Sequence, residues 1–167
     1  FPSERGIRCM MRRNDREVTD IVLQRLAISY LNVIAALGFY DAGKVYIVPL
    51  NFGYEETNGT WIFYFHGAAE GRKIDLIKQT HHAGFELDTN YKMYEADVPC
   101  RYSTRFQSVI GTGKITFIDN IDRKRYALQR IMSQNTGKKH WEFPTAMLNK
   151  TAVFELEVEE LSCKEHQ

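Results

Sequence analysis

Six β-prone runs, two of whose connections are short, constrain this chain more than any other feature. The runs lie at residues 31–40, 45–52, 60–65, 83–88, 102–118 and 152–158. Repeated β–α–β crossovers need a dozen residues or more at every connection, and the connections at 41–44 and 53–59 are too short for one. The pattern therefore predicts a mainly β fold, an antiparallel barrel of six strands with peripheral helices.

Turn and helix signals divide these runs. Asn58-Gly59 is a strong signal for a tight turn before the third run. Gly111 and Gly113 inside the fifth run predict a bulge or a corner. Pro49 cannot donate to a ladder, so we expect its strand to be irregular or open there. Amphipathic spacing predicts helices over residues 17–30, 71–80 and 122–132.

Length and composition indicate one domain with an ordinary core. The 167 residues are 44% hydrophobic and 26% charged, which is typical of globular proteins and needs no disulfide or structural metal. With 22 basic and 21 acidic side chains the net charge is +1, which argues against a general nucleic-acid role. No stretch approaches the ~18 apolar residues of a membrane span. We expect a flexible lead over residues 1–12, a domain over 13–162 and a tail over 163–167.

The cysteines indicate reduced thiols and a cytoplasmic location. Cys9, Cys100 and Cys163 are odd in number and widely spaced, without a Cys-x-x-Cys or zinc pattern. Cys100 is a conceivable reactive thiol, although most free cysteines are inert fillers. His81 and His82 are adjacent and would point to opposite faces of a strand, which argues against a shared metal. We predict no metal site.

The segment at residues 63–73 carries the strongest chemical signal. An apolar strand ends at His66-Gly67, passes a bend of small residues and enters a helix at Arg72-Lys73. Helix N-terminal amides attract anions, arginine can fork onto phosphate oxygens, and glycine allows close backbone approach. The arrangement suits a phosphate group. The alternative is a solvated first turn with two ordinary surface cations.

The same segment resembles a known family. Residues 66–73 are similar to the flavin-phosphate loop of pyridoxamine 5'-phosphate oxidases, and Phe65-His66-Gly67-Ala68 is similar to a signature of the related nitroimidazole-resistance family. Three further stretches agree with that family: Met11 to Asp20, Val48 to Tyr54, and Ser108 to Gly113. The resemblance runs from about Met11 to Glu160. It implies an FMN-binding split β-barrel.

The resemblance also implies a cofactor site shared between two subunits. Arg72 and Lys73 would bind the FMN phosphate, strand residues near Pro49 would run along the isoalloxazine, and His66 would contact substrate. Trp141 is a weaker candidate to cover the ring. The predicted flavin contacts are Val48, Pro49, Leu50, Asn51, His66, Gly67, Arg72 and Lys73 from one subunit, with Ser108 and Val109 from the other subunit of a homodimer.

Three functions stay open at this point. The first is an FMN-dependent oxidoreductase that reduces a small planar acceptor, such as a nitroimidazole or another nitro compound. The second is a non-catalytic flavin- or haem-binding protein. The candidate axial ligands for haem are His66, His81, His82 and His140. The third is a barrel used only to dimerise in a regulatory assembly. Residues 91–101 follow no pattern of the family, and we expect an irregular excursion at 91–99.

Overall fold

In a computed structural model of the protein, the six predicted strands close into an antiparallel barrel. The structure describes residues 13–30 and 34–167. The strands are β1 (Ile34–Asp41), β2 (Lys44–Thr57), β3 (Thr60–Ala68), β4 (His82–Tyr94), β5 (Ser103–Phe117) and β6 (Thr151–His166). Their order around the barrel is β1-β2-β3-β6-β5-β4, and β4 pairs back with β1. The predicted fold class is confirmed.

Four α-helices lie in the described residues. They are α1 (Ile21–Tyr30), α2 (Arg72–Thr80), α3 (Ile121–Thr136) and α4 (Thr145–Lys150), with 3₁₀ turns at Asn14–Arg16 and Pro99–Arg101. Three match the predicted helices, although α1 begins at Ile21 rather than at residue 17. The Asn120 side chain caps α3 by accepting from the Arg123 amide, and Gly137 ends it in the left-handed conformation. The short α4 follows Pro144 and was not predicted.

Side chains alternate between the barrel interior and its outside. On β3, Trp61, Phe63 and Phe65 point inward and are buried in the main core. Tyr64 points outward and belongs to a second buried cluster that also includes Leu148 from α4. Each buried large apolar side chain contributes about 1.5–3 kcal/mol, so the barrel interior provides most of the stability.

Two strand ends differ from the predictions. β4 continues through Tyr94, which pairs with Ser103, so residues 91–94 are strand rather than an irregular excursion. β6 continues to His166, so residues 163–166 are strand rather than a tail. In both cases pairing with β5 extends the strand beyond the run that the local pattern indicated.

The predicted bulge in β5 can be compared directly with the strand register. A register shift between Thr112 and Gly113 confirms the predicted bulge in β5. The predicted lead at residues 1–12 and the start of the first run at 31–33 lie outside the described residues. No helix in the described part of the chain is both long and apolar enough to cross a bilayer.

The β2–β3 ladder ends where these two strands diverge. Its last pair is Phe52 with Phe65. Beyond it, residues 44–51 of β2 pair with β1, and residues 66–68 of β3 pair with β6, but the two segments do not pair with each other. Each therefore has one edge without a partner strand among the described residues. Pro49 lies on the open part of β2, as its missing amide predicted. We call this opening the split.

Candidate functional site

Helix α2 begins at the split and starts with two cations. β3 leads into it through Gly71, whose φ of 119° is left-handed and favours glycine. No side chain caps the first turn of this helix. Its amides therefore keep the positive end of the helix dipole open to an anion. Arg72 and Lys73 are the first two helical residues, and they point to different walls of the split.

Lys73 lies against the β3 wall. An ideal Cβ built on Gly67 would be 2.9 Å from Lys73 Cε and 3.2 Å from its Nζ, so the lysine fills the space that a larger residue at 67 would take. The side chain is half-buried and makes no ion pair within the described residues. A partly buried ammonium without a counter-ion is a strong attractor for an anion.

Arg72 lies toward the β2 wall. Its Nε donates to Asp41 Oδ2 at 2.9 Å, and Nη2 donates to the same oxygen. Its guanidinium carbon is 5.0 Å from the centre of the Tyr46 ring. The side chain is 57% exposed, so one side of the guanidinium still faces solvent. Arg72 is thus oriented by two neighbours but not enclosed by them.

His66 ends the sequence signature on β3, at the edge of the split. Its Nδ1 is buried and has no hydrogen-bond partner among the described residues. Burial lowers the pKa of His66, and the nearby Lys73 ammonium lowers it further. The imidazole is therefore neutral at pH 7. An orphaned buried ring nitrogen costs about 1–3 kcal/mol unless something bonds it, so a ligand group at this position would be stabilising.

Strand alternation places the predicted flavin contacts at residues 48–51 on two opposite faces of β2. Val48 and Leu50 turn inward and pack against the core, whereas Pro49 and Asn51 are exposed. The Asn51 amide donates from Nδ2 to Asn135 Oδ1 at 2.9 Å, which ties it to α3. The β2 wall therefore offers its open backbone edge and the proline ring more than polar side chains.

The predicted partner contacts Ser108 and Val109 lie on β5, three strands away from β2 in either direction. Val109 is completely buried in the core, so a contact with a second subunit would use its backbone rather than its side chain. Alternation along β5 turns the neighbouring Ser108 to the outside, where it is half-buried. Ser108 is thus three strands away from the β2 wall of the split in its own chain.

The other candidate residues are Trp141 and three further histidines. Trp141 is tied to α3, since its amide donates to Gln129 Oε1 at 3.1 Å. His81 ends α2 in the left-handed conformation, and His82 Nε2 lies 3.2 Å from a Glu159 oxygen. His140 is exposed.

The two described cysteines are both free thiols. Cys100 is exposed, whereas Cys163 is buried. Burial, and then the charge of Glu165, raise the pKa of the Cys163 thiol to about 11, which makes it unreactive. Within the described residues, no group of three or more His, Cys, Asp or Glu side chains could hold a metal ion.

Sequence reasoning missed two residues of this site. Asp41 was assigned only to the turn between β1 and β2, and Tyr46 only to a strand. Both contact Arg72 across long stretches of chain. A carboxylate in a turn carries no sequence signal for an arginine 31 positions later. Only the closure of the barrel brings them together.

Comparison with known proteins agrees with the split-barrel fold. A family model described as pyridoxamine 5'-phosphate oxidase matches residues 24–165. Among solved structures, the chain is similar to a candidate 5-nitroimidazole antibiotic resistance protein from Bacteroides thetaiotaomicron, with 26% identity, coverage of 89% of this chain and 86% of that chain, and a TM-score of 0.77. No curated protein sequence matches the chain.

Two more distant structures share the fold. One is a flavocytochrome from Azotobacter vinelandii, at 18% identity and a TM-score of 0.76, covering 95% of this chain and 72% of that one. The other is an FAD- and haem-binding protein from Mycobacterium smegmatis, at 15% identity and a TM-score of 0.73, covering 91% and 74%. Flavins thus recur among the ligands of proteins with this fold.

Proposed function

The chain belongs to the pyridoxamine 5'-phosphate oxidase family, and from that premise we propose that it is an FMN-dependent oxidoreductase. One observation carries the proposal. At the start of α2, Arg72 and Lys73 lie on opposite walls of the split, beside a helix terminus that no side chain caps. We call these two side chains and the first turn of α2 the phosphate corner. Two cations and free amides around an opening are what a phosphate requires.

The residues around the split fit a flavin nucleotide. Lys73 has no anionic partner within the described chain, and His66 has an orphaned Nδ1. The open edge of β2 at residues 48–51 offers backbone groups to the polar edge of a flat ring. Bound FMN would supply the electron-transfer chemistry, while the protein binds, orients and shields it. Gly67 leaves room on the β3 wall for the Lys73 side chain.

The acceptor we propose is a small planar molecule, with a nitroimidazole or another nitro compound as the first class to test. The likeness to the Bacteroides protein supports this choice. His66 is the side chain we assign to substrate contact. Because its pKa is lowered, it is neutral at pH 7, and one ring nitrogen can donate while the other accepts.

We also propose that the protein works as a homodimer in the cytoplasm. The outer faces of β1 and β2 carry exposed apolar side chains in adjacent pairs: Tyr40 is 69% exposed and its β2 neighbour Val45 is 74% exposed. Ile47, next on the same face, is 64% exposed. An apolar sheet face of this kind is typical of a subunit interface. In such a dimer the partner subunit's Ser108 could reach the split.

The proposal is tested by flavin binding. We expect FMN to bind the purified protein and Arg72→Ala/Lys73→Ala to weaken it by at least about a hundredfold, because each charge-assisted bond contributes roughly 1.5–3 kcal/mol. Riboflavin, which lacks the phosphate, should bind both proteins equally. Lys78→Ala, on the last turn of the same helix, is the matched control. Equal FMN affinity in the double variant and the parent would refute the phosphate corner.

Turnover is tested separately. With bound FMN, a nicotinamide donor should bleach the flavin absorbance, and a nitroimidazole should restore it. A protein that binds flavin but shows no reoxidation by any nitro compound would be a flavin carrier. A Soret band in the protein as isolated would instead indicate haem.

A further inference from the structure

Asp41 lies at the phosphate corner, and only one of its two carboxylate oxygens accepts hydrogen bonds from the described residues. Arg72 donates twice, from Nε at 2.9 Å and from Nη2, and both bonds go to Oδ2. Oδ1 accepts no hydrogen bond from the described residues. The Asp41 side chain is 24% exposed, so this second oxygen is not sealed into the core. The corner therefore presents one open acceptor among its donors.

The charges at the corner sum to a small value. Arg72 and Lys73 contribute two positive charges and Asp41 one negative charge, which leaves +1. Glu70 and Asp75, on either side of the two cations in sequence, are exposed, so water screens their negative charges more than that of the partly buried Asp41. A phosphate with a single negative charge balances the corner. A second negative charge on the phosphate would face the Asp41 carboxylate a few Å away.

We propose that Asp41 is a specificity-determining residue that selects a phosphate carrying one negative charge. The inference rests on the proposed function. A singly charged phosphate has two sources here: the diester phosphate of a dinucleotide flavin such as FAD, or FMN whose phosphate keeps one proton. In the second case the phosphate O–H donates to Asp41 Oδ1. The second pKa of a phosphate monoester is about 6, so FMN loses that proton as the pH rises through this value.

The geometry gives Asp41 a role beyond orienting the Arg72 side chain. The Tyr46 ring already orients the guanidinium from one side. Repulsion between the carboxylate and a second phosphate charge shifts a binding constant by about tenfold at the effective dielectric of a protein surface. Among the described residues, His66 also lies at the split, and its protonation at low pH would also favour an anion. A test must therefore separate His66 from Asp41.

The experiment measures dissociation constants of FMN, FAD and riboflavin from about pH 5.5 to about pH 8, across the second phosphate pKa. In the parent protein we expect FMN affinity to fall about tenfold over this range and FAD affinity to change less. In Asp41→Asn, FMN should bind about tenfold more tightly at the upper pH, and most of the pH dependence should vanish. Asp122→Asn, an exposed acid on the first turn of α3, should behave as the parent.

Two further comparisons make the outcome decisive. Asp41→Ser removes the same charge through a smaller side chain and should reproduce the Asn result if folding is intact. If the pH dependence of FMN binding persists in both variants, it belongs to His66 and the inference is overturned. It is also overturned if both variants weaken FMN and FAD alike, because Asp41 then only positions Arg72. If neither nucleotide binds the parent more tightly than riboflavin, the proposed function itself fails.

Discussion

At the end of β3, the Lys73 side chain occupies the space that a side chain on Gly67 would fill, since a Cβ on Gly67 would lie 2.9 Å from Lys73 Cε. Gly67→Ala should push the lysine side chain away, because its flexible end moves more easily than the strand. We expect FMN affinity to fall about tenfold, the loss of one charge-assisted bond, with little change in stability. Fluorescence titration with FMN checks this, and riboflavin is the control ligand. Unchanged FMN affinity would place the phosphate elsewhere.

His66 should make the protein less stable in mild acid. Burial first, and the Lys73 ammonium second, lower its pKa in the folded state. The unfolded chain, in which histidine titrates near about 6.5, then binds more protons than the folded chain. Stability is therefore complete above that value and is lost as the pH falls through it toward the folded pKa.

Urea unfolding at several pH values between about 5 and 7 measures this effect, around the ordinary histidine pKa. His66→Gln should remove that part of the pH dependence. Lys73→Met should raise the His66 pKa, followed by NMR of the ring, but not to the ordinary value, because burial remains. A His66 that titrates as in an unfolded peptide would contradict the prediction.

Tyr64 holds α3 to the barrel through a polar cluster. Its hydroxyl donates to Glu55 and accepts from Arg123 Nη2 at 2.7 Å, and the Tyr64 ring is buried. Tyr64→Phe leaves both partners short of a bond and should destabilise the fold by about 1–3 kcal/mol. Tyr126 also donates to Glu55 but is 40% exposed, so Tyr126→Phe should cost about 1 kcal/mol or less. Urea denaturation of the two variants should show this order.

Gly53 is required by the close approach of α3 to β2. A Cβ there would lie 2.4 Å from the backbone nitrogen of Ile131 and 2.5 Å from the carbonyl carbon of Arg130. Because helix backbone cannot yield as a side-chain end does, Gly53→Ala should destabilise by about 1–3 kcal/mol or more. At Gly38 the nearest atom to such a Cβ is 4.0 Å away, so Gly38→Ala is the matched control and should be tolerated. Similar unfolding midpoints for the two variants would contradict this packing.

The proposed dimer predicts a different effect for two equally exposed apolar residues. Ile47 on β2 is 64% exposed, and Met147 on α4 is 60% exposed. Ile47→Lys should convert a dimer to monomers, because it buries a charge in an apolar contact. Met147→Lys should leave the dimer intact. Sedimentation velocity distinguishes the two, and a parent protein that sediments as a monomer would refute the proposal.

Local sequence determined the kind of element at most positions. Alternation and turn residues such as Asn58-Gly59 were sufficient for six strands, and amphipathic spacing for three helices, because these signals act over a few residues. The strand ends were not predictable in this way. Residues 91–94 and 163–166 are strands because β5 supplies their hydrogen-bond partners, which no local pattern records.

The same distinction between local sequence and long-range contacts applies to the candidate site. The sequence alone determined the His66-Gly67 strand end and the Arg72-Lys73 helix start, since these residues are neighbours in the chain. Only the tertiary structure decided that Val109 faces the core, that Lys73 lies over Gly67, and that Asp41 holds Arg72. Such relationships depend on strand register and barrel closure. Both are set by packing across the whole molecule, where contacts between distant residues outweigh local preference.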